Sequence, residues 1–241
     1  MSLYLIGIGL GDEQDITLKG LNALKTCTKV YLEVYTSHLA QEDIQRMEKL
    51  YGKKIERADR ETIEQRMEDI VEEASVNNVA VLIVGSPLSA TTHIEFLLIG
   101  KKQGVPVHII DNASILTAVA ITGLFLYKFG RTTTIPLENK DITSPYEAYL
   151  QNKKSGLHTL FLLDIQGKKM MTAEQGCEYL MKQGLKKDAI VIGCGGLGSP
   201  DQEIIVGKPS QIKLKKFPQC LILPGELNFK EEEALNLLYK N

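Results

Sequence analysis

The feature that most limits how this chain can fold is a recurring one. Short, almost unbroken apolar runs stop at or near a glycine or an irregular polar stretch, and helical periodicity follows. LYLIGIG (residues 3–9), VAVLIVG (79–85) and VPVHII (105–110) carry apolar residues at most positions, as strands covered on both faces do. KVYLEVY (29–35) reads as a further strand. Between them, Thr17 is placed to cap a helix over 17–27 with Leu18, Leu21 and Leu24 on it. Ile63, Met67, Ile70, Val71 and Ala74 fall at the i, i+4, i+7, i+8, i+11 spacing of an amphipathic helix. Another helix is expected from about residue 92. Strand–helix–strand alternation predicts right-handed crossovers and a mostly parallel α/β sheet.

The pattern changes after about residue 112, which divides the chain into an N-terminal α/β domain (1–112) and a C-terminal α/β domain (113–241). A helix is expected from Ser114 to about Leu124, then a polar, threonine-rich stretch. Ser144, Pro145 and Glu147 read as the N-cap, N1 and N3 positions of another helix, and Thr172 with Gln175 as a capping box. HTLFLLDI (158–165), AIVIGC (189–194) and CLILPG (220–225) are expected strands.

Composition excludes several function classes. With 28 Lys+Arg against 30 Asp+Glu in 241 residues, the chain has no basic excess for bulk nucleic-acid binding. The cluster Lys213, Lys215 and Lys216 reads as a solvated face. Cys27, Cys177, Cys194 and Cys220 are scattered, with no C-x-x-C pair, and read as reduced thiols of a cytoplasmic protein. His38, His93, His108 and His158 show no ligand spacing, so no metal site is expected. The N-terminus enters a strand directly, without signal-peptide features. The apolar stretch 115–127 is too short for a membrane span.

Four turns follow the carboxyl ends of expected strands, where open α/β sheets place ligands. Gly7-Ile8-Gly9-Leu10-Gly11 permits positive φ and close approach of a ligand to the backbone. It departs from a dinucleotide fingerprint, having Asp12 in the third glycine slot and a late helix start. A nicotinamide enzyme with Glu33 on the ribose is therefore the poorer reading. Gly85-Ser86-Pro87-Leu88-Ser89 makes the second turn, after which Thr92 and Glu95 also read as a capping box and His93 suits a surface or a catalytic role. Asn112-Ala113-Ser114-Ile115 is the third, in which Asn112 or Ser114 could simply cap a helix. In the fourth, Asp164 follows Leu163 at the end of a very apolar strand, as a site carboxylate or a solvated one. No nucleophile motif, phosphate loop or paired-carboxylate motif is present.

At these turns the chain resembles the diphthine synthases, within the tetrapyrrole-methylase-like family of S-adenosyl-L-methionine methyltransferases. The matching stretches are YLIGIGLGDEQDITLKGL, VYLEVYTS, GSPLSATTH, NASI, GLFLYKFG and GLHTLFLLDI, followed by GCGGLGSPDQ and LILPGELN. The resemblance implies a two-domain fold, with a mostly parallel N-terminal sheet, a second mixed-sheet domain and the cofactor in the interdomain cleft. It implies a cytoplasmic homodimer that methylates the 3-amino-3-carboxypropyl-histidine of translation elongation factor 2. The NASI and YLEVYTS forms favour trimethylation plus a carboxyl methyl ester. Neither direct nucleic-acid binding nor a membrane is implied.

Carried over by position, the cofactor contacts are Leu10, Ser86, Ser89, Ser114, Ile115, Leu163, Leu197 and Asn228. Tyr35 and Tyr127 are expected as aromatic walls for the methylated ammonium, Asp164 as the group orienting the amine, and Lys128 as a partner for the substrate carboxylate or a surface lysine. Two positions depart from the family: Ser86 stands where its second turn usually has aspartate, and Asn228 where histidine is common. Serine brings no charge to offset a sulfonium, so weaker cofactor binding is expected. The chain is also short after Asp164, with about seven residues before Thr172. The rival readings are a tetrapyrrole-precursor methylase of the same fold and a catalytically degenerate protein that only binds elongation factor 2.

Overall fold

The computed structural model describes residues 1–89, 93–167 and 169–239. The chain forms two compact units, Met1–Leu116 and Thr117–Asn241. The first contains β1 (Leu3–Gly7), α1 (Leu18–Thr26), β2 (Lys29–Glu33), α2 (Ile44–Tyr51), β3 (Glu56–Ala58), α3 (Arg60–Val76), β4 (Val79–Ile83), α4 (Ile94–Gln103) and β5 (Val107–Ile110). All five strands are parallel, in the order β3-β2-β4-β1-β5. The chain steps one way across the sheet from β1 to β3 and the other way from β3 to β5.

Right-handed crossovers then put α1 and α2 on one face and α3 and α4 on the other. The packing shows that separation. Leu24, Met47 and Tyr51 lie with Ile6, Leu32 and Leu82, while the five periodic positions of α3 join Phe96, Ile99, Leu3, Leu5 and Val81. Alternate residues of each strand serve opposite faces, which is why the central strands β1 and β4 are apolar at both sets of positions.

Thr17 caps α1 by accepting from the Gly20 N–H at 3.0 Å. Leu18, however, is exposed. Gly20 and Leu24 face the sheet instead, and a Cβ on Gly20 would lie 2.9 Å from Ile6 Cγ2. The helix approaches too closely for a side chain there, and the rotation this sets turns Leu18 to solvent. Helix α4 starts at Ile94 with His93 just before it. Thr92 lies outside the described residues, and with it the expected cap to Glu95.

The chain passes into the second unit through α5 (Ile115–Ala118). The expected helix to Leu124 is cut to this single turn, followed by a 3-10 turn at Val119–Thr122 and Gly123 at φ +86°. Thr117, Val119, Ile121 and Thr122 are β-branched and lose side-chain freedom in a helix, so glycine ends a segment already weak.

The second unit holds β6 (Thr133–Ile135), α6 (Ser144–Lys154), β7 (Thr159–Leu163), β8 (Ile165–Gln166), β9 (Lys169–Met170) and α7 (Ala173–Gln183). Then come β10 (Val191–Gly195), β11 (Glu203–Gly207), β12 (Gln219–Leu223) and α8 (Phe229–Tyr239). Its sheet is mixed, in the order β11-β10-β12-β7-β6, parallel only between β6 and β7. Helices α6 and α7 cover one face through Tyr149, Cys177 and Leu180, packed with Phe161, Leu163 and Leu221. Helix α6 begins at Ser144, one residue before the expected start, and the Thr143 hydroxyl bonds the Glu147 carboxylate at 2.7 Å. The Thr172–Gln175 capping box is present. The short segment after Asp164 is a β8–β9 hairpin, with Gly167 at φ +60°.

The basic cluster is partly neutralised. Lys216 pairs with Asp201, and the Lys215 and Lys216 N–H groups donate to Glu203. All four cysteines are free and buried, and Cys194 faces Cys220 across β10 and β12. Among the described residues no helix is long and apolar enough to cross a membrane.

Candidate functional site

The first unit changes winding direction between β1 and β4, and the crevice at the carboxyl ends of such a pair is the ligand position of open α/β sheets. Here Gly9 and Gly85 form an isolated bridge, with Gly85 N–H donating to Gly9 O at 2.7 Å. Both have positive φ, +77° and +79°. A Cβ on Gly7 would lie 2.6 Å from Gly85 O and 2.9 Å from Asn112 Cβ, so only glycine lets the turns after β4 and β5 close over the end of β1. The Leu10 and Gly11 N–H groups donate to Asp15 Oδ2 at 3.1 and 2.7 Å. Those amides would have to face the pyrophosphate of a dinucleotide, so this turn is not a dinucleotide loop.

Leu10 reaches across to Gly85, its Cδ2 lying 3.9 Å from where a Cβ would stand. Ser86 is buried and donates to Asp111 Oδ1 at 3.0 Å, while accepting from the Asn112 N–H at 3.4 Å. Position 86 has no charge of its own, but the structure supplies a carboxylate beside it. Asn112 is a clamp, its amide donating to Gly7 O and Asp15 O at 2.9 Å each. Ser114 is the capping residue of this turn, accepting from Leu116 N–H at 3.2 Å. Ser89 N–H donates to Ser86 O at 3.0 Å, and Ile115 opens α5 half-buried. The structure thus gathers Leu10, Ser86, Ser89, Ser114 and Ile115 on the turns of one sheet edge. A sulfonium cofactor fits these residues: the edge offers unfilled space beside Gly85 and a carboxylate, the complement of a cation.

The same edge carries a buried acid–base pair. Glu33 ends β2 and accepts from the N–H groups of Tyr35 and Thr36 at 2.6 Å each, and from the Thr36 hydroxyl. With those bonds made, Glu33 is not disposed to take a ribose. His93 Nε2 lies 3.9 Å from Glu33 Oε2 and its Nδ1 is 3.3 Å from Pro87 O. Its side chain is wholly buried, which rules out the surface role. Burial pushes the His93 pKa down, opposed by the Glu33 charge and the Pro87 carbonyl. Tyr35 is buried with the Arg60 guanidinium 5.6 Å from its ring centroid, so its face already carries a cation.

In the second unit the expected residues fall on two opposite edges of the sheet. Leu163 and Asp164 end β7, and Leu197 follows β10, which runs in the same direction. Leu163 and Leu197 are buried. The Asp164 carboxylate accepts from Leu137 N–H at 3.0 Å and Gln166 Nε2 at 2.9 Å, holding the segment after β6. Tyr127 and Asn228 lie at the opposite edge. Tyr127 is 80% exposed and rests on Phe125. Asn228 caps α8, accepting from Lys230 and Glu231 N–H at 2.9 and 3.0 Å.

Lys128 is neither a surface lysine nor a free cation. Its ammonium donates to Glu231 Oε2 and Glu226 O, each at 2.5 Å. Glu231 is wholly buried and also accepts from His158 Nε2, Phe125 N–H and Asn228 N–H, all at 2.9 Å. His158 Nδ1 accepts from Gly225 N–H at 2.8 Å, which assigns the ring proton to Nε2. Burial pushes the His158 pKa down and the Glu231 contact opposes it. Burial raises the Glu231 pKa, but Lys128, the two backbone N–H groups and His158 outweigh it and hold the carboxyl at about 2. Nothing local marks this network in the sequence, since Lys128 and Glu231 are 103 residues apart. Among the described residues no three His, Cys, Asp or Glu side chains are arranged to hold a metal ion.

Comparison with known proteins places the chain in a family. The family model of tetrapyrrole (corrin/porphyrin) methylases matches residues 2–213. A probable diphthine methyl ester synthase of Arabidopsis thaliana is 40% identical, covering 97% of this chain and 96% of the relative. A diphthine synthase of Methanocaldococcus jannaschii is 39% identical over 99% of both. Among solved structures, a diphthine synthase superposes with a TM-score of 0.94 at 31% identity, covering 99% of this chain and 96% of that one. A putative diphthine synthase from Entamoeba histolytica gives 0.88 at 35%, covering 100% and 99%. The chain therefore belongs to the diphthine synthases of the tetrapyrrole methylase family, and is an S-adenosyl-L-methionine-dependent methyltransferase.

Proposed function

We propose that this methyltransferase acts in diphthamide biosynthesis on the 3-amino-3-carboxypropyl group of the modified histidine of elongation factor 2. It adds three methyl groups to the amine and one to the carboxylate, as a cytoplasmic homodimer. The observation that carries the reading is the end-to-end similarity to diphthine synthases, at 37–40% identity over 97–99% of the chain. In the first unit, Leu10, Ser86, Ser89, Ser114 and Ile115 are the proposed cofactor contacts and Tyr35 a substrate-side residue. For the second unit the proposals are Leu163, Leu197 and Asn228 as cofactor contacts, with Asp164 and Tyr127 on the substrate side.

The cofactor, when bound, supplies a methyl group already activated on a sulfonium. What the protein adds is placement of the nucleophile in line and exclusion of water, together capable of about 7–11 kcal/mol of barrier reduction. An α-amino-type nucleophile with a pKa of about 8 is roughly one-tenth unprotonated at pH 7. Desolvation at the site lowers that pKa further, so the amine sheds its proton to solvent without a dedicated strong base. A carboxylate nucleophile needs no base.

The test is mass spectrometry of elongation factor 2 bearing the unmethylated precursor, after incubation with this protein and S-adenosylmethionine. Four methyl increments are expected. Three would remove the ester from the proposal, and none would sink the substrate assignment. Asp164→Ala with full turnover and unchanged cofactor affinity would remove Asp164 from the site.

A further inference from the structure

The pairing of Ser86 with Asp111 links the turns after β4 and β5 and fixes a carboxylate at their surface. Asp111 follows β5 and Ser86 follows β4, so their hydrogen bond at 3.0 Å spans the end of β1 lying between those strands. The Ser86 hydroxyl is buried and fully committed: its proton goes to Asp111 and it accepts the Asn112 N–H. Asp111 itself is exposed. Among the described residues, no lysine, arginine or histidine forms an ion pair with it. A buried hydroxyl is thus spent on fixing the rotamer of an uncompensated carboxylate at the ligand edge of the sheet. Such a group is complementary to a cation that arrives from outside.

We propose that Asp111, positioned by Ser86, is the anionic group that meets the positive charge of the methyl donor. The inference rests on the reading that this chain binds S-adenosylmethionine. It makes Asp111 a cofactor-binding residue and Ser86 its positioning residue, and it places the charge absent from the Gly85-Ser86-Pro87 turn on the neighbouring strand end. S-adenosylhomocysteine lacks the sulfonium charge but shares the adenosine and amino-acid parts, so the ratio of the two affinities isolates the charge.

The experiment is calorimetric titration of the full chain with S-adenosylmethionine and S-adenosylhomocysteine. Asp111→Asn is expected to weaken S-adenosylmethionine tenfold or more and S-adenosylhomocysteine less than threefold. Ser86→Ala should move both in the same direction by less. The double variant Ser86→Asp with Asp111→Asn returns a carboxylate to the pair and should restore the preference for S-adenosylmethionine. Its recovery also separates a charge effect from misfolding, which would lower both affinities and the ligand-free unfolding temperature. Equal weakening of both ligands by Asp111→Asn, or none, overturns the inference and leaves the methyltransferase reading intact. A wild-type chain that binds neither ligand overturns the functional reading, and this inference with it.

Discussion

Replacing Glu231 by Gln tests how much of the second unit's stability resides in one buried carboxylate. Glutamine keeps the shape, but its single oxygen cannot serve four donors: Lys128, His158 and the N–H groups of Phe125 and Asn228. The folded carboxyl sits at about 2 against an ordinary 4.5. At about 1.4 kcal/mol per tenfold change in proton affinity, that difference stabilises the folded state by about 3 kcal/mol at pH 7. Removing one partner from a buried charged pair independently gives about 3–5 kcal/mol.

The assay is urea unfolding followed by circular dichroism. With a slope of about 2 kcal/mol per molar urea, the midpoint of the second unit's transition should fall by about 1.5 M. The pH dependence has a definite sign. The folded pKa is depressed, so the contribution is complete above about 4.5 and is lost as pH falls towards 2. The gap between wild type and Glu231→Gln should therefore narrow by more than about 1 kcal/mol between pH 7 and pH 3.5. A gap below about 1 kcal/mol at pH 7, less than one buried charge should cost, would refute the reasoning. So would a gap that widens on acidification.

Two further outcomes follow from the packing. Gly9→Ala should destabilise the first unit by about 2 kcal/mol or more, from an L-residue held at positive φ and a Cβ pressed against Asp15; urea unfolding with an unchanged midpoint would contradict this. Thiol titration should find all four cysteines in denaturant and less than one within minutes in the native chain, because all are buried and burial pushes the Cys177 thiol to about 12; rapid native labelling of any of them would show the packing to be looser than described.

The buried strands and α3 were legible because their signals are local and strong: runs apolar at most positions, or five apolar residues at helical spacing. Strand β3, with Glu56 and Arg57 exposed at a sheet edge, shows no such run, and neither does β6 inside a threonine-rich stretch. Strand β11 is half-buried at the other sheet's edge, and α2 is only eight residues long, too short for its Ile44, Met47, Tyr51 stripe to stand out. The glycine turns were readable as tight turns at strand ends, since glycine after an apolar strand has a local reason. What each polar side chain does there was not. Ser86 finds Asp111 25 residues away, and His158 finds Glu231 73 residues away. No periodicity carries such pairings. Asn112 looked like a helix cap for the same reason: its true partners, Gly7 and Asp15, are distant in the chain.

The first glycine turn is held on both sides before any ligand arrives. Asp15 takes the N–H groups of Leu10 and Gly11, and Asn112 ties Gly7 to Asp15. The conformational entropy of ordering this loop is therefore lost when the unit folds and not again when a ligand binds. Preorganisation of that kind raises affinity without adding a contact. It also makes the turn intolerant: a turn fixed by its own hydrogen bonds cannot swell, so if it lines the cofactor site as proposed, bulkier cofactor analogues should be rejected here by shape.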